Sequence, residues 1–343
     1  MPEALPQLDM FSQGPPGVAP RPPGPEPVAV AAVPAKLSEW AAVLPSGLHL
    51  GTSSWSFPGW AGLVYGRKYS RERLARDGLA AYAQHPLFRT VGLDRGYYAP
   101  LTVDDYIRYC DVLPSGFRML IKAHEHCTLP RFPAHPRYGT RRGRVNDRFL
   151  NPAYAQSAVV EPALLGLGEH LGPILFQFTP TDVDLFGGAQ RFAERLHRFF
   201  AAMPRGPIYA VELRNTRLLT REYAAALRDT GVCHCINVYP GMPFPKDQAL
   251  IGRTEEAPAT VIRWMLHDGL AYEQARAAYD PFDRIVDDDP NTRRELAGLI
   301  HQAARARQPT FVIVNNKAEG SSPLSVARLA GVIAAGESLR ASS

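Results

Sequence analysis

From Leu48 onward, short apolar runs of strand length alternate with helical patterns. The runs are LHLGTSSW (48–55), FRTVGLD (88–94), RMLIKAH (118–124), PILFQF (173–178), PIYAVEL (207–213), CHCINV (233–238), TVIRWML (260–266) and PTFVIVNN (309–316). Between the fourth and fifth, Phe192, Leu196, Phe199 and Phe200 recur at helical spacing, which predicts a helix over 191–202 with one apolar stripe. Thr220 is placed to cap a helix that Gly231 stops, and Ser70 to open the one containing Leu74, Leu79 and Tyr82. Eight strands alternating with helices over about 290 residues predict an α/β chain closed as a (β/α)8 TIM-like barrel over 47–338. A doubly wound open sheet is the rival. The count favours closure, and no Gly-rich nucleotide fingerprint follows the first strand.

Residues 1–36 break this pattern. "GPPGVAPRPPGPEPVAVAAVPAK" offers too little bulky apolar surface to offset the entropy of ordering it, so a disordered Pro-rich tail is expected. Near its tip, Gln7-Leu8-Asp9-Met10-Phe11 forms an apolar cluster that an extended, Pro-rich tether would leave accessible. The 343 residues are 45% hydrophobic, enough for a substantial core, and the formal charge of +5 with pI near 9.0 makes an anionic partner plausible. The four cysteines, 110, 127, 233 and 235, lack a disulfide spacing, and no apolar run reaches membrane-span length. A reduced, cytoplasmic protein with no membrane role is expected.

A barrel places ligands at the carboxyl ends of its strands, which makes the polar residues there the candidates. Glu212 and Arg214 share one face of the fifth strand, where a parallel barrel should be apolar on both faces. They suit a carboxylate for proton transfer beside a guanidinium that holds an anion; a buried structural ion pair is the other reading. Lys122 and Arg263 can enter the same mouth against a phosphate or carboxylate, or be neutralised by Glu212. Trp55, Asp94 and Tyr98 complete the candidate ligand set, with Gln177, Asn315 and Asn316 as amides for hydroxyl or base recognition. His124 and His126 have a spacing that metal sites use, so a divalent metal is a candidate cofactor if another strand adds a third ligand such as Glu212 or His267. The cysteines of CHC, 233–235, fit a buried strand better than zinc.

Charge is concentrated just after the third strand. RFPAHPRYGTRRGRVNDRFLN carries Arg131, Arg137, Arg141, Arg142, Arg144 and Arg148 against Asp147 alone. As a loop on the active face, with Phe132 and Tyr138 interleaved as stacking surfaces, it suits a nucleic-acid backbone; a merely solvated basic loop is the alternative.

The chain resembles domain-of-unknown-function family 72, the YecE-like proteins, over roughly residues 48 to 335. The resemblance rests on GTSSWS followed by Trp60 and Tyr65, the Tyr97-Tyr98 pair, GFRMLIKA, LGPILFQFTP, YAVELRN, an Arg in the seventh strand and VIVNNKAEG. It implies a barrel similar to those of the endonuclease IV and xylose isomerase type, and no established activity. It highlights Trp55, Tyr98, Lys122, Gln177, Glu212, Arg214, Arg263, Asn315 and Asn316. Gly92 and Asp94 in VGLDRGYY replace the family's usual acidic and amide residues, and Met265 replaces its usual His. The expectation is a barrel that binds a phosphate-bearing ligand or nucleic acid through Lys122, Arg214, Arg263 and Arg141, Arg142 and Arg144 of the loop. It would hydrolyse a phosphodiester in DNA repair, with Glu212 as base or metal ligand and Lys122 and Arg263 beside it. The alternatives are a sugar or sugar-phosphate isomerase or hydrolase, and a non-catalytic adaptor. The N-terminal cluster resembles the QLxLF-type peptides that dock bacterial replication and repair proteins on the DNA sliding clamp. Gln7 would fix register while Leu8, Met10 and Phe11 fill an apolar groove.

Overall fold

The computed structural model describes residues 26–267 and 269–341. Eight parallel strands form a closed barrel in sequence order: β1 (Leu48–Thr52), β2 (Thr90–Leu93), β3 (Arg118–Lys122), β4 (Leu171–Phe178), β5 (Tyr209–Leu213), β6 (Cys233–Val238), β7 (Thr260–Trp264) and β8 (Thr310–Val314). Ala189–Ala201 forms the expected helix with its stripe Phe192, Leu196, Phe199 and Phe200 buried, whereas the helix expected to contain Leu74, Leu79 and Tyr82 is divided at Gly78 into Arg71–Asp77 and Leu79–Tyr82. Thr220 Oγ1 accepts from the Tyr223 N–H, and Gly231 ends that helix at φ 68°, a left-handed conformation that suits glycine. Ser70 caps Arg71–Asp77 in the same way.

Alternation along each strand sorts its side chains into two cores. Outward residues such as Val91, Met119, Ile174, Val211 and Ile262 join the surrounding helices in the main hydrophobic cluster. Inward residues Leu120, Leu175, Ala210, Cys233, Cys235, Val261, Phe311 and Ile313 pack against one another inside the barrel. The Cys233 and Cys235 thiols are therefore core filling, and all four cysteines are free. Gly51 on β1 shows how closely the wall is built: a Cβ there would stand 1.8 Å from the Thr90 carbonyl oxygen, so only glycine lets β1 and β2 pair.

The expectation of a disordered segment through residue 36 is corrected where the chain is described. Residues 26–34 lie along the barrel flank, and a helix already runs over Ala35–Val43. Val30 bridges Tyr65, the Ala31 N–H donates to the Val64 carbonyl at 3.0 Å, and that of Gly66 to Ala29 at 2.7 Å. Val28 and Ala31 are buried beneath. The extended backbone favoured by flanking prolines pairs with a neighbouring segment, and the small Val and Ala side chains of PVAVAAV fill the gap. Gln7, Leu8, Met10 and Phe11 lie outside the described residues. Among those described, no helix is long and apolar enough to cross a membrane.

Candidate functional site

One inward step above the apolar barrel interior, the same alternation delivers polar groups. Lys122 follows Leu120, Gln177 follows Leu175, Glu212 follows Ala210, Asn237 follows Cys235, Arg263 follows Val261 and Asn315 follows Ile313. Register completes the layer, with Gln177 beside Glu212 and Asn237 beside Arg263. A period of two thus converts a hydrophobic plug into a polar floor at the carboxyl ends of the strands.

Glu212 is the hub of that floor. Its Oε1 accepts from Arg214 Nε at 2.8 Å and its Oε2 from Arg263 Nη1. Gln177 Oε1 braces both guanidiniums, at 3.2 Å from Arg214 and 3.1 Å from Arg263. Glu212 is fully buried, and burial alone would raise its pKa. The charges of Arg263 and Arg214 outweigh burial and hold it down to about 2. A carboxylate so firmly ionised and paired to two guanidiniums suits a structural counter-ion better than a proton acceptor near neutrality. Burial likewise opposes charge on Arg263, but Glu212 and Asp94 keep it cationic. Asp94 Oδ1 faces Arg263 at 3.9 Å. Gly92, where the resemblance expects an acid, points inward beside Ser53 and Ile313 with no side chain, so Asp94 is the carboxylate this strand supplies.

The remaining cations are less well matched. Lys122 is buried with its ammonium 3.8 Å from the centre of the Tyr97 ring, and among the described residues no carboxylate lies within ion-pair distance of it. Burial lowers its pKa to about 8; Asp94 and Glu212 act to raise it, and Arg263 and Arg214 to lower it. Lys317, 4.1 Å from the centre of the Tyr272 ring, is also brought down to about 8, chiefly by burial. Lys122, Arg214, Arg263 and Lys317 therefore share the mouth with Glu212 and Asp94, and Glu125, tied to Arg137, also acts on Lys122. Tyr98 stands exposed on the rim, edge-on to Tyr97. Tyr239 lies under Arg214 at 4.3 Å. Sequence reasoning counted Lys317 among the polar residues at the strand ends without giving it a role and left Tyr239 out; Tyr239 directly follows β6, and Lys317 lies on the 3₁₀ turn Asn316–Ala318 after β8.

Other candidates are placed differently. Trp55 is buried among core residues, its indole donating to the Leu74 carbonyl at 3.1 Å, so it is structural. Asn316 is buried beside the mouth, where its Oδ1 accepts from Trp60 Nε1 at 3.2 Å and from the backbone N–H and hydroxyl of Ser322, both at 2.8 Å. It pins the start of the last helix, while its Nδ2 is buried without a hydrogen-bond partner among the described residues. Asn315 is nearer the mouth, donating to Ser53 Oγ at 2.8 Å.

His124 and His126, the expected metal ligands, lie side by side. No group of three His, Cys, Asp or Glu suited to a metal occurs among the described residues. The rings lie 4.4 Å apart, His124 Nδ1 against the Tyr154 hydroxyl at 2.6 Å and His126 Nε2 against Arg141 at 3.0 Å. Both are lowered to about 4, by burial first, then by His126 and the nearby arginines for His124 and by Arg141 and Arg148 for His126. A guanidinium already sits where a dication would need room.

The arginine loop does rim the mouth after β3. Arg141, Arg142 and Arg144 are exposed, whereas Phe132 and Tyr138, expected as stacking surfaces, are buried with Leu129 in a small core under the loop. Arg137 is tied to Glu125 and Tyr138, and Arg141 lies over Phe132 at 5.1 Å. The aromatic rings hold the loop's shape and leave its guanidiniums outside.

Residues 49–342 match the family model described as "Protein of unknown function DUF72". The chain belongs to the DUF72 family. Two solved DUF72 proteins share its fold: one from Enterococcus faecalis, 16% identical over 83% of this chain and 95% of that one, with TM-score 0.56; and one from Thermotoga maritima, 18% identical over 83% and 98%, also with TM-score 0.56. No curated protein matches. In this DUF72 chain YAVELRN and LGPILFQFTP supply the Glu212–Arg214–Gln177 floor, and GTSSWS supplies the tight β1–β2 approach and a core tryptophan.

Proposed function

We propose that the barrel mouth binds a phosphate-bearing ligand, and that a nucleic acid is the form of it that also engages the arginine loop. The observation that supports this reading best is Lys122: a buried ammonium at the mouth, facing a ring, with no carboxylate partner among the described residues. An anionic ligand would supply the missing charge, beside the two guanidiniums that Glu212 already orients. Amide groups that a neutral sugar would need are engaged elsewhere, Gln177 with the arginines and Asn315 with Ser53, which favours the anion over the sugar. Where the ligand is turned over, phosphodiester hydrolysis is the reaction class this set serves. The cations would stabilise charge on the phosphoryl oxygens, and Lys122, at about 8, could exchange a proton near neutrality. A repair role draws only on the N-terminal peptide.

The test is calorimetric titration with inorganic phosphate and with sulfate, whose charge is constant over the working range. Both should bind below about pH 8 and weaken as pH rises through it, because Lys122 and Lys317 lose the positive charge that attracts the anion. Lys122→Met should lower affinity about tenfold and shrink that pH step, leaving the part due to Lys317. Absence of binding to the wild type, or binding indifferent to Lys122→Met, would refute the reading.

A further inference from the structure

Beside the mouth, and sharing Lys317 with it, lies a cavity of about 690 Å³. Its walls are the turn after β1 with Phe57 and Gly59, the start of the next helix with Lys68 and Arg71, and the segment 272–283 after β7. The walls meet in direct backbone contact: a Cβ on Gly59 would stand 1.8 Å from the Pro281 carbonyl oxygen. Next to that junction Phe282 is held at φ 70°, a conformation bulky residues rarely adopt, with its ring buried edge-on against Phe57 at 5.5 Å. The junction is thus rigid and costly, as binding sites often are.

The chemistry of the lining is that of a nucleotide site. Lys68, Arg71, Arg276 and Lys317 outnumber Asp280 and Asp283, and Tyr272 offers a half-exposed ring. The volume falls within the range of small-molecule pockets. Lys317 couples this cavity to the mouth, since Asp94 and Arg214 both act on its ammonium. Position adds a second constraint. In the closed strand order β3 lies opposite β7, so the arginine loop after β3 and the cavity wall after β7 stand on opposite sides of the mouth.

We infer that this cavity is a second anion subsite that takes a nucleotide joined to the phosphate held in the mouth. The ligand is then a single-stranded oligonucleotide laid across the barrel from the arginine loop to the cavity. One base stacks on Tyr272, which requires it to be free of a duplex, and its phosphates meet Lys68, Arg71 and Arg276. The inference rests on the phosphate reading of the mouth and adds the substrate class and its path.

The experiment measures fluorescence anisotropy of a labelled single-stranded oligothymidylate, with thymidine monophosphate, inorganic phosphate and the corresponding duplex as competitors. Lys68 and Arg276 are exposed, so the double variant Lys68→Glu/Arg276→Glu should fold. It is expected to weaken the oligonucleotide by about tenfold or more, well beyond any change for inorganic phosphate, on which Arg276 acts only through the charge of Lys317. Tyr272→Ala should also weaken the oligonucleotide, and Tyr272→Phe should retain it, since stacking needs only the ring. An oligonucleotide that binds no tighter than the monophosphate, is indifferent to these variants, or is displaced equally well by duplex overturns the subsite. If phosphate still binds, the mouth reading survives that result; if neither ligand binds the wild type, both readings fall.

Discussion

Glu212 carries the sharpest consequence at the scale of single residues. It joins two arginines of which one, Arg263, is almost wholly buried, so removing its charge leaves a guanidinium in a low-dielectric floor without its partner. Glu212→Gln, similar in shape, is therefore expected to cost about 3 kcal/mol of stability, read from urea unfolding at neutral pH. The sign of the pH effect follows from the depressed pKa. The pair contributes fully above the ordinary glutamate range near 4.5 and loses its contribution as pH falls toward about 2, so wild type and variant should converge in acid. A general base would behave otherwise, giving a variant as stable as wild type with only its turnover lost. Unchanged stability in Glu212→Gln would return the residue to that role.

Among elements, the loop over 128–150 separates shape from charge. Phe132, Tyr138 and Leu129 form its small core, while Arg142 and Arg144 are exposed and bear on no packing. Arg142→Glu/Arg144→Glu should leave unfolding within about 0.5 kcal/mol of wild type, yet weaken oligonucleotide binding and flatten its dependence on salt concentration. A salt slope that stays the same would mean the loop does not meet the ligand. The loop also marks where sequence legibility stops. Strands and floor could be read because period-two alternation is rigid: once Leu120 and Ala210 face inward, Lys122 and Glu212 must. Past the strand end that rule lapses. Trp55 and Asn316 each leave the strand on a turn that swings them into the protein, and His124 precedes and His126 lies within a 3₁₀ turn at Glu125–Cys127 that draws them against Tyr154 and Arg141. Position near a strand end does not specify which way a side chain faces, and burial decides it only in three dimensions.

At the scale of the whole molecule, the N-terminal peptide and the barrel mouth are linked by chain length. The described chain begins at Glu26, whose carboxylate and carbonyl meet Arg67 and Arg73, on either side of Lys68 and Arg71 in the cavity wall. Glu26 therefore stands at the cavity's edge. Between Phe11 and Glu26 lie 15 peptide steps, which can span at most roughly 50 Å when fully extended. If Gln7 to Phe11 dock on a sliding clamp, Glu26 is confined to that radius around the docked peptide, a rise in the barrel's local concentration near the DNA that needs no affinity of the barrel for duplex. The full chain should then bind a bacterial sliding clamp in a pull-down or by surface plasmon resonance, and Leu8→Ala/Phe11→Ala should abolish that binding. The same variant should bind oligothymidylate as wild type does, because the docking residues precede the barrel and the anion site lies within it. No measurable clamp affinity would remove the repair context while leaving the anion site intact; loss of oligonucleotide binding in the peptide variant would show that the two are not separable.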